Sequence, residues 1–157
     1  KKKLDLNEMV ENVANSFTLR VEHTGGKIYT SIEAIDSAMY VDEVHFQNVI
    51  NNLIDNAVKY RKQDKPLDIY LRTWNDNEFL YLSIKDTGIG IKKENLKKVF
   101  EKFYRVHTGN RHDVKGFGLG LAYVKKIINL HNGEIHVDSE YGVGTKFIIK
   151  LPVIKED

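Results

Sequence analysis

The chain has 157 residues, a formal net charge of +2, 41% hydrophobic residues and 29% charged residues. These values describe one globular domain with a sizeable core, and the near-neutral balance gives no footprint for nucleic acid or a membrane surface. There is no cysteine, which excludes disulfides, thiolate metal sites and thiol redox chemistry and is compatible with the cytosol.

Lys1-Lys2-Lys3 reads as a solvated end or as the stub of a helix arriving from a neighbouring domain. No apolar run approaches the roughly 18 residues of a membrane span, and no signal-peptide pattern is present. The first residue is not Met, so the chain is expected to be a fragment, with room for a membrane anchor upstream. From Asp5 to Glu22, Leu6, Met9, Val10, Val13, Phe17 and Val21 are spaced for one helical face, and Gly25-Gly26 ends it. Lys27 to Ala34 and Ala38 to Val41 predict strands. Asp42 is the expected N-cap of a long helix to Tyr60. Leu67 to Trp74 and Phe79 to Lys85 predict two strands joined at Asn75-Asp76-Asn77. Glu94 to Phe100 predicts a helix. Arg105 to Lys115 is polar and unpatterned, as mobile loops are. Gly118 to Asn132 predicts the last helix, closed by Asn132-Gly133, and Glu134 to Asp138 with Thr145 to Leu151 predict a hairpin around Tyr141-Gly142. This order of helices and strands predicts a two-layer α/β sandwich rather than a doubly wound parallel sheet.

Four short segments in the stretch 52–121 carry the chemistry: Asn52 to Tyr60, Asp86-Thr87-Gly88-Ile89-Gly90, Phe100 to Arg105, and Gly116-Phe117-Gly118-Leu119-Gly120-Leu121. In the long helix, at about 100° per residue, Phe46, Val49, Ile50, Leu53, Ile54 and Ala57 fall on one side. Asn48, Asn52, Asn56 and Lys59 share an arc of roughly 80° on the other. This is either a solvated polar face or one that presents amide oxygens to Mg²⁺ and a compact cation to phosphate. Four asparagines in a helix, where Asn is a weak former, favour the second reading.

Asp86 ends a strand just before a glycine turn. There it is either an ordinary turn residue or an acceptor for the exocyclic amine of adenine, with Gly88 and Gly90 letting the backbone approach the ring. The oxygen that guanine carries at that position would be repelled, so ATP is expected over GTP. The turn from Gly116 through Gly118, Leu119 and Gly120 to Leu121 opens a helix, where free N–H groups and the helix dipole suit phosphates. It is neither a Rossmann fingerprint nor a Walker P-loop. Arg105 is either solvated or a planar cation for a transferring phosphoryl group, and Lys102, Arg111 and Lys115 add general positive charge.

This ordered series resembles the N, G1, F and G2 boxes of the ATP-binding catalytic domain of sensor histidine kinases, with Gly142-Val143-Gly144-Thr145 as a weaker fifth element. The resemblance spans Leu4 to Pro152 and implies the fold shared with gyrase-type, chaperone and mismatch-repair ATPases. That fold is an α/β two-layer sandwich with three main helices on one mixed, largely antiparallel sheet. It also implies ATP and Mg²⁺ as cofactors and assigns roles to matching positions. Asn56 is the implied metal ligand, with Asn52 beside it. Lys59, Tyr60, Tyr104 and Arg105 join the nucleotide site through the N and F boxes, with Asn52, Lys59 and Arg105 as the catalytic set. Thr145 is the implied support of Asp86, directly or through water, and 105–116 is the implied ATP lid.

In hydrolysing relatives a glutamate one turn before the metal ligand activates water. Here Asn52 stands there, and an amide takes no proton at neutral pH. Slow hydrolysis and an external nucleophile are therefore expected. The family's acceptor motif, His-Asp/Glu-x-x-x-Pro, is missing: His112-Asp113 lacks the proline, and His23, His45, His107, His131 and His136 lack an acidic follower in context. All six are expected to be surface or structural residues, and none has zinc-site spacing with credible partners.

The expected function is transfer of the γ-phosphoryl group of Mg-ATP to a histidine on a dimerising helical domain located upstream, and onward to a response regulator. The whole kinase is expected to be a homodimer and this piece a cytoplasmic monomer. A related serine kinase of the anti-sigma type and a non-catalytic nucleotide-binding module are the alternatives.

Overall fold

The computed structural model describes residues 1–101 and 118–154 of the chain. Tyr104, Arg105, Gly116 and the 105–116 segment, with Lys102, Arg111, Lys115, His107 and His112, lie outside the described residues.

Among the described residues the elements run in the order β1 (Lys2–Asp5), α1 (Leu6–Glu22), β2 (Ile28–Ile32), β3 (Ala38–Val41), α2 (Glu43–Lys59), β4 (Ile69–Asn75), β5 (Phe79–Asp86), α3 (Lys93–Leu96), α4 (Gly118–Leu130), β6 (Glu134–Glu140) and β7 (Gly144–Pro152). Five strands form one sheet in the order β2-β4-β5-β7-β6. Only β2 and β4 pair in parallel. A parallel pair needs a long crossover, and the segment containing β3 and α2 supplies it. The expected sandwich of α1, α2 and α4 on one mixed, largely antiparallel sheet is the observed architecture.

Both long predicted helices begin where their caps stand. The Asp5 carboxylate accepts the N–H groups of Asn7 and Glu8, and the Asp42 carboxylate accepts that of His45. The apolar faces pack as their periodicity requires, with Phe46, Val49, Ile50, Leu53, Ile54 and Ala57 of α2 buried together with α1 residues Leu6, Val10, Val13 and Val21. α4 ends at Leu130, and the turn that follows carries Asn132 at a positive φ of 60°, with the Gly133 N–H closing back on the Ile128 carbonyl. The buried His131 fastens this end to α2. Its Nδ1–H donates to the Ile127 carbonyl and its Nε2 accepts the Asp42 N–H. The ring is thus a neutral structural tie, as expected of these histidines.

Two expectations are corrected. Lys2 and Lys3 are exposed, as a solvated end would be, but they are not a helix stub and not irregular: Lys2–Asp5 forms a strand antiparallel to β3, with Leu4 opposite Met39. The charged run hides a strand whose partner lies far along the chain. The helix expected over Glu94 to Phe100 is regular only over Lys93–Leu96. Beyond it, the Lys98 N–H bonds to the Asn95 carbonyl and the Glu101 N–H to the Lys98 carbonyl. Those bonds span three residues, so the chain proceeds in tight turns rather than an α-helix.

The face of the sheet away from the helices is roofed by its own side chains. Tyr29 stacks on Tyr70 and Trp74 on Tyr81, each pair at 5.0 Å between centroids. Arg72 lies 4.5 Å over Trp74 and Lys150 lies 3.9 Å over Phe79. Among the described residues no helix is long and apolar enough to cross a membrane.

Candidate functional site

A cleft opens on the helix side of the sheet, lined by Asn56, Ala57, Tyr60, Asp86, Gly90, Ile91, Val99, Leu121, Thr145 and Phe147. It brings the C-terminal turn of α2 against the ends of β5 and β7 and the start of α4. Its walls are mostly apolar, with a few polar groups at fixed places, which is the usual makeup of a small-molecule site.

Asp86 closes β5 directly opposite Thr145 on β7. Its Oδ1 accepts the Gly88 N–H at 2.9 Å and the Thr145 N–H at 3.2 Å. Both bonds fall on one oxygen, which leaves Oδ2 to meet a donor from the cleft. Burial pushes the carboxyl up to about 6, and the two N–H groups only partly offset that rise. Here the folded value lies above the ordinary 3.8. Stability from this group is therefore fully present below the ordinary value and is lost as pH rises through about 6, by roughly 3 kcal/mol. Urea denaturation of the ligand-free chain should show Asp86→Asn gaining on the unmodified chain between about pH 4 and pH 6, with the difference level above about pH 7. A constant difference would mean that Asp86 titrates like an exposed carboxylate.

The glycine turn is shaped by its neighbours. The Tyr60 carbonyl, at the end of α2, accepts the Ile89 N–H, and the Ile89 carbonyl accepts the Gly142 N–H at 2.6 Å. Gly90 sits at φ 76°, and a β-carbon there would lie 2.2 Å from the Glu140 carbonyl oxygen. No side chain fits, so the turn from Asp86 to Gly90 is held between α2 and the β6–β7 hairpin.

At the other end stands Asn56. It is only 7% exposed, and its Oδ1 is the one buried side-chain polar atom without a hydrogen-bond partner among the described residues. An orphaned carbonyl oxygen lining a cleft is costly unless something else binds it. It is a hard oxygen donor of the kind Mg²⁺ takes, so this residue fits the implied metal. No group of three or more His, Asp or Glu side chains placed to hold a metal occurs among the described residues.

The other expected site residues are distributed as follows. Asn52 is half-buried one turn before Asn56 and does not line the cleft. Lys59 also stands outside the lining; its ammonium pairs at 2.9 Å with Asp55, which also binds Arg20. Tyr60, Gly90 and Leu121 line the cleft, and Gly88 is buried in the turn beside it. Gly118 and Gly120 open α4, with Leu119 between them. Thr145 supports Asp86 through its backbone N–H, while its hydroxyl bonds to Ser139 at 2.8 Å. Sequence reasoning missed the apolar walls Ala57, Ile91, Val99 and Phe147. Nothing in a regular helix or strand pattern marks them, because they look like any core residues.

Residues 41–155 match the model of the histidine kinase-, DNA gyrase B-, and HSP90-like ATPase family. The chain belongs to that family. It is 61% identical over 156 residues to the sensor protein RprX of Bacteroides fragilis, covering 99% of this chain and 30% of that protein. It is 37% identical over 121 residues to the sensor histidine kinase WalK of Bacillus subtilis, covering 77% of this chain and 20% of that protein. The chain thus spans less than a third of the length of these curated relatives. Among solved structures, a nucleotide-free catalytic domain of the histidine kinase ThkA superposes with a TM-score of 0.82 at 24% identity, covering 97% of each chain. The mycobacterial sensor histidine kinase MprB superposes at 0.78 and 25% identity, covering 97% of this chain and 98% of that one. The domain is therefore the ATP-binding ATPase-type domain of a sensor kinase.

Proposed function

We propose that the domain holds Mg-ATP in this cleft and presents the γ-phosphoryl group to a histidine on a separate dimerising helical domain of the same kinase. The observation that carries the reading is the pairing within one cleft of a buried carboxylate with an open oxygen, Asp86, and an orphaned amide oxygen, Asn56. Asp86 Oδ2 accepts the adenine amine. Asn56 Oδ1 takes one position on the metal, with phosphate oxygens and waters in the others. The bound ion would neutralise phosphate charge. Gly118 to Leu121, as the start of α4, offers N–H groups to the phosphates. Asn52 replaces the proton-accepting residue of hydrolysing relatives, so the bound nucleotide awaits an external nucleophile. The 157 residues act as one ATP-binding unit.

One of the matched structures is ThkA in complex with the response regulator TrrA. A response regulator is the proposed onward acceptor here too. A site on the cytoplasmic side of the membrane, where ATP is, suits this role.

The test is transfer from γ-labelled ATP when the chain is mixed with a histidine-bearing dimerisation domain of a homologous sensor kinase. An acid-labile, base-stable product on that domain is expected, and no labelling of the chain alone. Transfer is expected to be slow, because tethering normally supplies the effective concentration. Labelled serine on a partner protein would move the assignment to a serine kinase. Nucleotide binding without any transfer would leave a binding module.

Asn56→Ala should lose the affinity that Mg²⁺ adds for ATP, by about tenfold or more, while melting no lower than the unmodified chain because the orphaned oxygen is gone. Titrations with and without Mg²⁺ check this. An undiminished Mg²⁺ effect would remove Asn56 from the metal.

A further inference from the structure

Ser139 is half-buried near the end of β6, opposite Thr145 on β7. Its hydroxyl meets three groups. It accepts the Ile91 N–H at 2.7 Å, lies 2.9 Å from the Gly144 carbonyl oxygen, and lies 2.8 Å from Thr145 Oγ1. A hydroxyl has one proton and two lone pairs. A carbonyl oxygen can only accept, so the Ser139 proton goes to Gly144. Its lone pairs then take the Ile91 N–H and the Thr145 O–H. This assignment leaves Thr145 Oγ1 with no proton to offer anything else.

The Gly144 carbonyl belongs to the same peptide unit as the Thr145 N–H. In a planar trans peptide the C=O and N–H point opposite ways. Holding the carbonyl with Ser139 therefore aims the N–H at Asp86 Oδ1, where it is found at 3.2 Å. The polarisation also runs in the favourable direction along the chain of bonds. Ile91 lines the cleft, so the third bond ties the same serine to the wall beside Asp86.

We propose that Ser139 is a specificity-determining positioning residue: it fixes the Thr145 hydroxyl as an acceptor and the Thr145 N–H on Asp86, so that this end of the cleft accepts hydrogen bonds and does not donate them. Such an end takes a 6-amino purine and rejects a 6-oxo purine, whose oxygen finds no donor. The inference rests on the reading of Asp86 as the base-reading group. Without Ser139 the Thr145 hydroxyl is free to turn and donate, which supplies what a 6-oxo purine needs.

The experiment is calorimetric titration of ADP and inosine diphosphate into this chain and into Ser139→Ala. The unmodified chain should prefer ADP, and the preference should shrink on the order of tenfold in Ser139→Ala, through weaker ADP binding and relatively better inosine diphosphate binding. Equal affinities in the unmodified chain would overturn the base reading, and this inference with it. A clear preference that survives intact in Ser139→Ala would overturn the inference alone. So would an equal loss for both nucleotides, which is what a packing defect does. Ser139→Cys keeps the bulk with a much weaker donor and acceptor. It carries the same outcomes should the alanine variant fail to fold.

Discussion

Asp86→Asn is expected to lower ADP affinity by about 100-fold while raising the melting temperature at pH 7. The geometry dictates which way the new amide faces. Two N–H groups, of Gly88 and Thr145, converge on Oδ1. The asparagine must place its oxygen there, and its NH₂ then takes the place of Oδ2. A donor would face the donor amine of adenine where an acceptor stood, so one favourable bond becomes an unsatisfied contact in a buried position. Stability moves the other way, because the variant no longer buries a carboxylate that burial holds at about 6. Opposite signs in binding and melting distinguish a functional carboxylate from a structural one. The same reasoning makes ADP affinity pH-dependent in the unmodified chain. Below about pH 6 the free carboxyl is protonated, and affinity should fall by up to about tenfold per unit. An Asp86→Asn chain that binds ADP as tightly as its parent, or a flat pH profile, would end the assignment.

Local chemistry was the legible part of this chain. Asp42 caps α2 because a carboxylate before an amphipathic run has few better uses, and the split between the Phe46–Ala57 face and the asparagine face follows from helical spacing alone. Gly88 and Gly90 beside Asp86 read as letting the backbone approach a base, whereas the close approaches seen are to the Tyr60 and Glu140 carbonyls, which the sequence did not reveal. What was not legible depends on distant partners. β1 is invisible because Lys2 and Lys3 carry no strand pattern until Val41 and Tyr40 lie opposite them. Thr145 was legible as the support of Asp86, but not which of its groups does this: the backbone N–H bonds to the carboxylate, while the direction of a hydroxyl is set by its neighbours, and here Ser139 takes it. Lys59 read as a cation for phosphate, and its ion pair with Asp55 one turn earlier went unnoticed although the sequence contains that spacing. Asn56 and Asn48 read alike on the polar face. Helical spacing does not separate them; the family resemblance points to Asn56, and the fold buries it in the cleft while leaving Asn48 exposed.

Two glycines of the last hairpin should respond very differently to a single methyl group. Gly142 has a positive φ of 88°, and a β-carbon there would meet nothing within 4 Å. Gly142→Ala therefore carries only backbone strain, about 1–2 kcal/mol. Its N–H bond to the Ile89 carbonyl remains available, so ADP affinity should hold. Gly144 is packed against β5. A β-carbon there would lie 2.0 Å from the Asp86 carbonyl oxygen and 3.2 Å from the Thr87 α-carbon. These are backbone atoms in a paired strand and cannot swing aside, so Gly144→Ala must push β7 away from β5 at the Asp86–Thr145 pair. That displacement draws the Thr145 N–H off the Asp86 carboxylate and pulls the Gly144 carbonyl from Ser139 in one movement. The expected result is a loss of about 2–4 kcal/mol in stability, the scale of backbone strain combined with overpacking. An ADP affinity at least about tenfold weaker should accompany it, since a misplaced acceptor forfeits its hydrogen bond. Urea denaturation and calorimetric titration of the two variants side by side measure both effects. If Gly144→Ala bound ADP like Gly142→Ala, the close contact of β7 with Asp86 would have no part in shaping the nucleotide site.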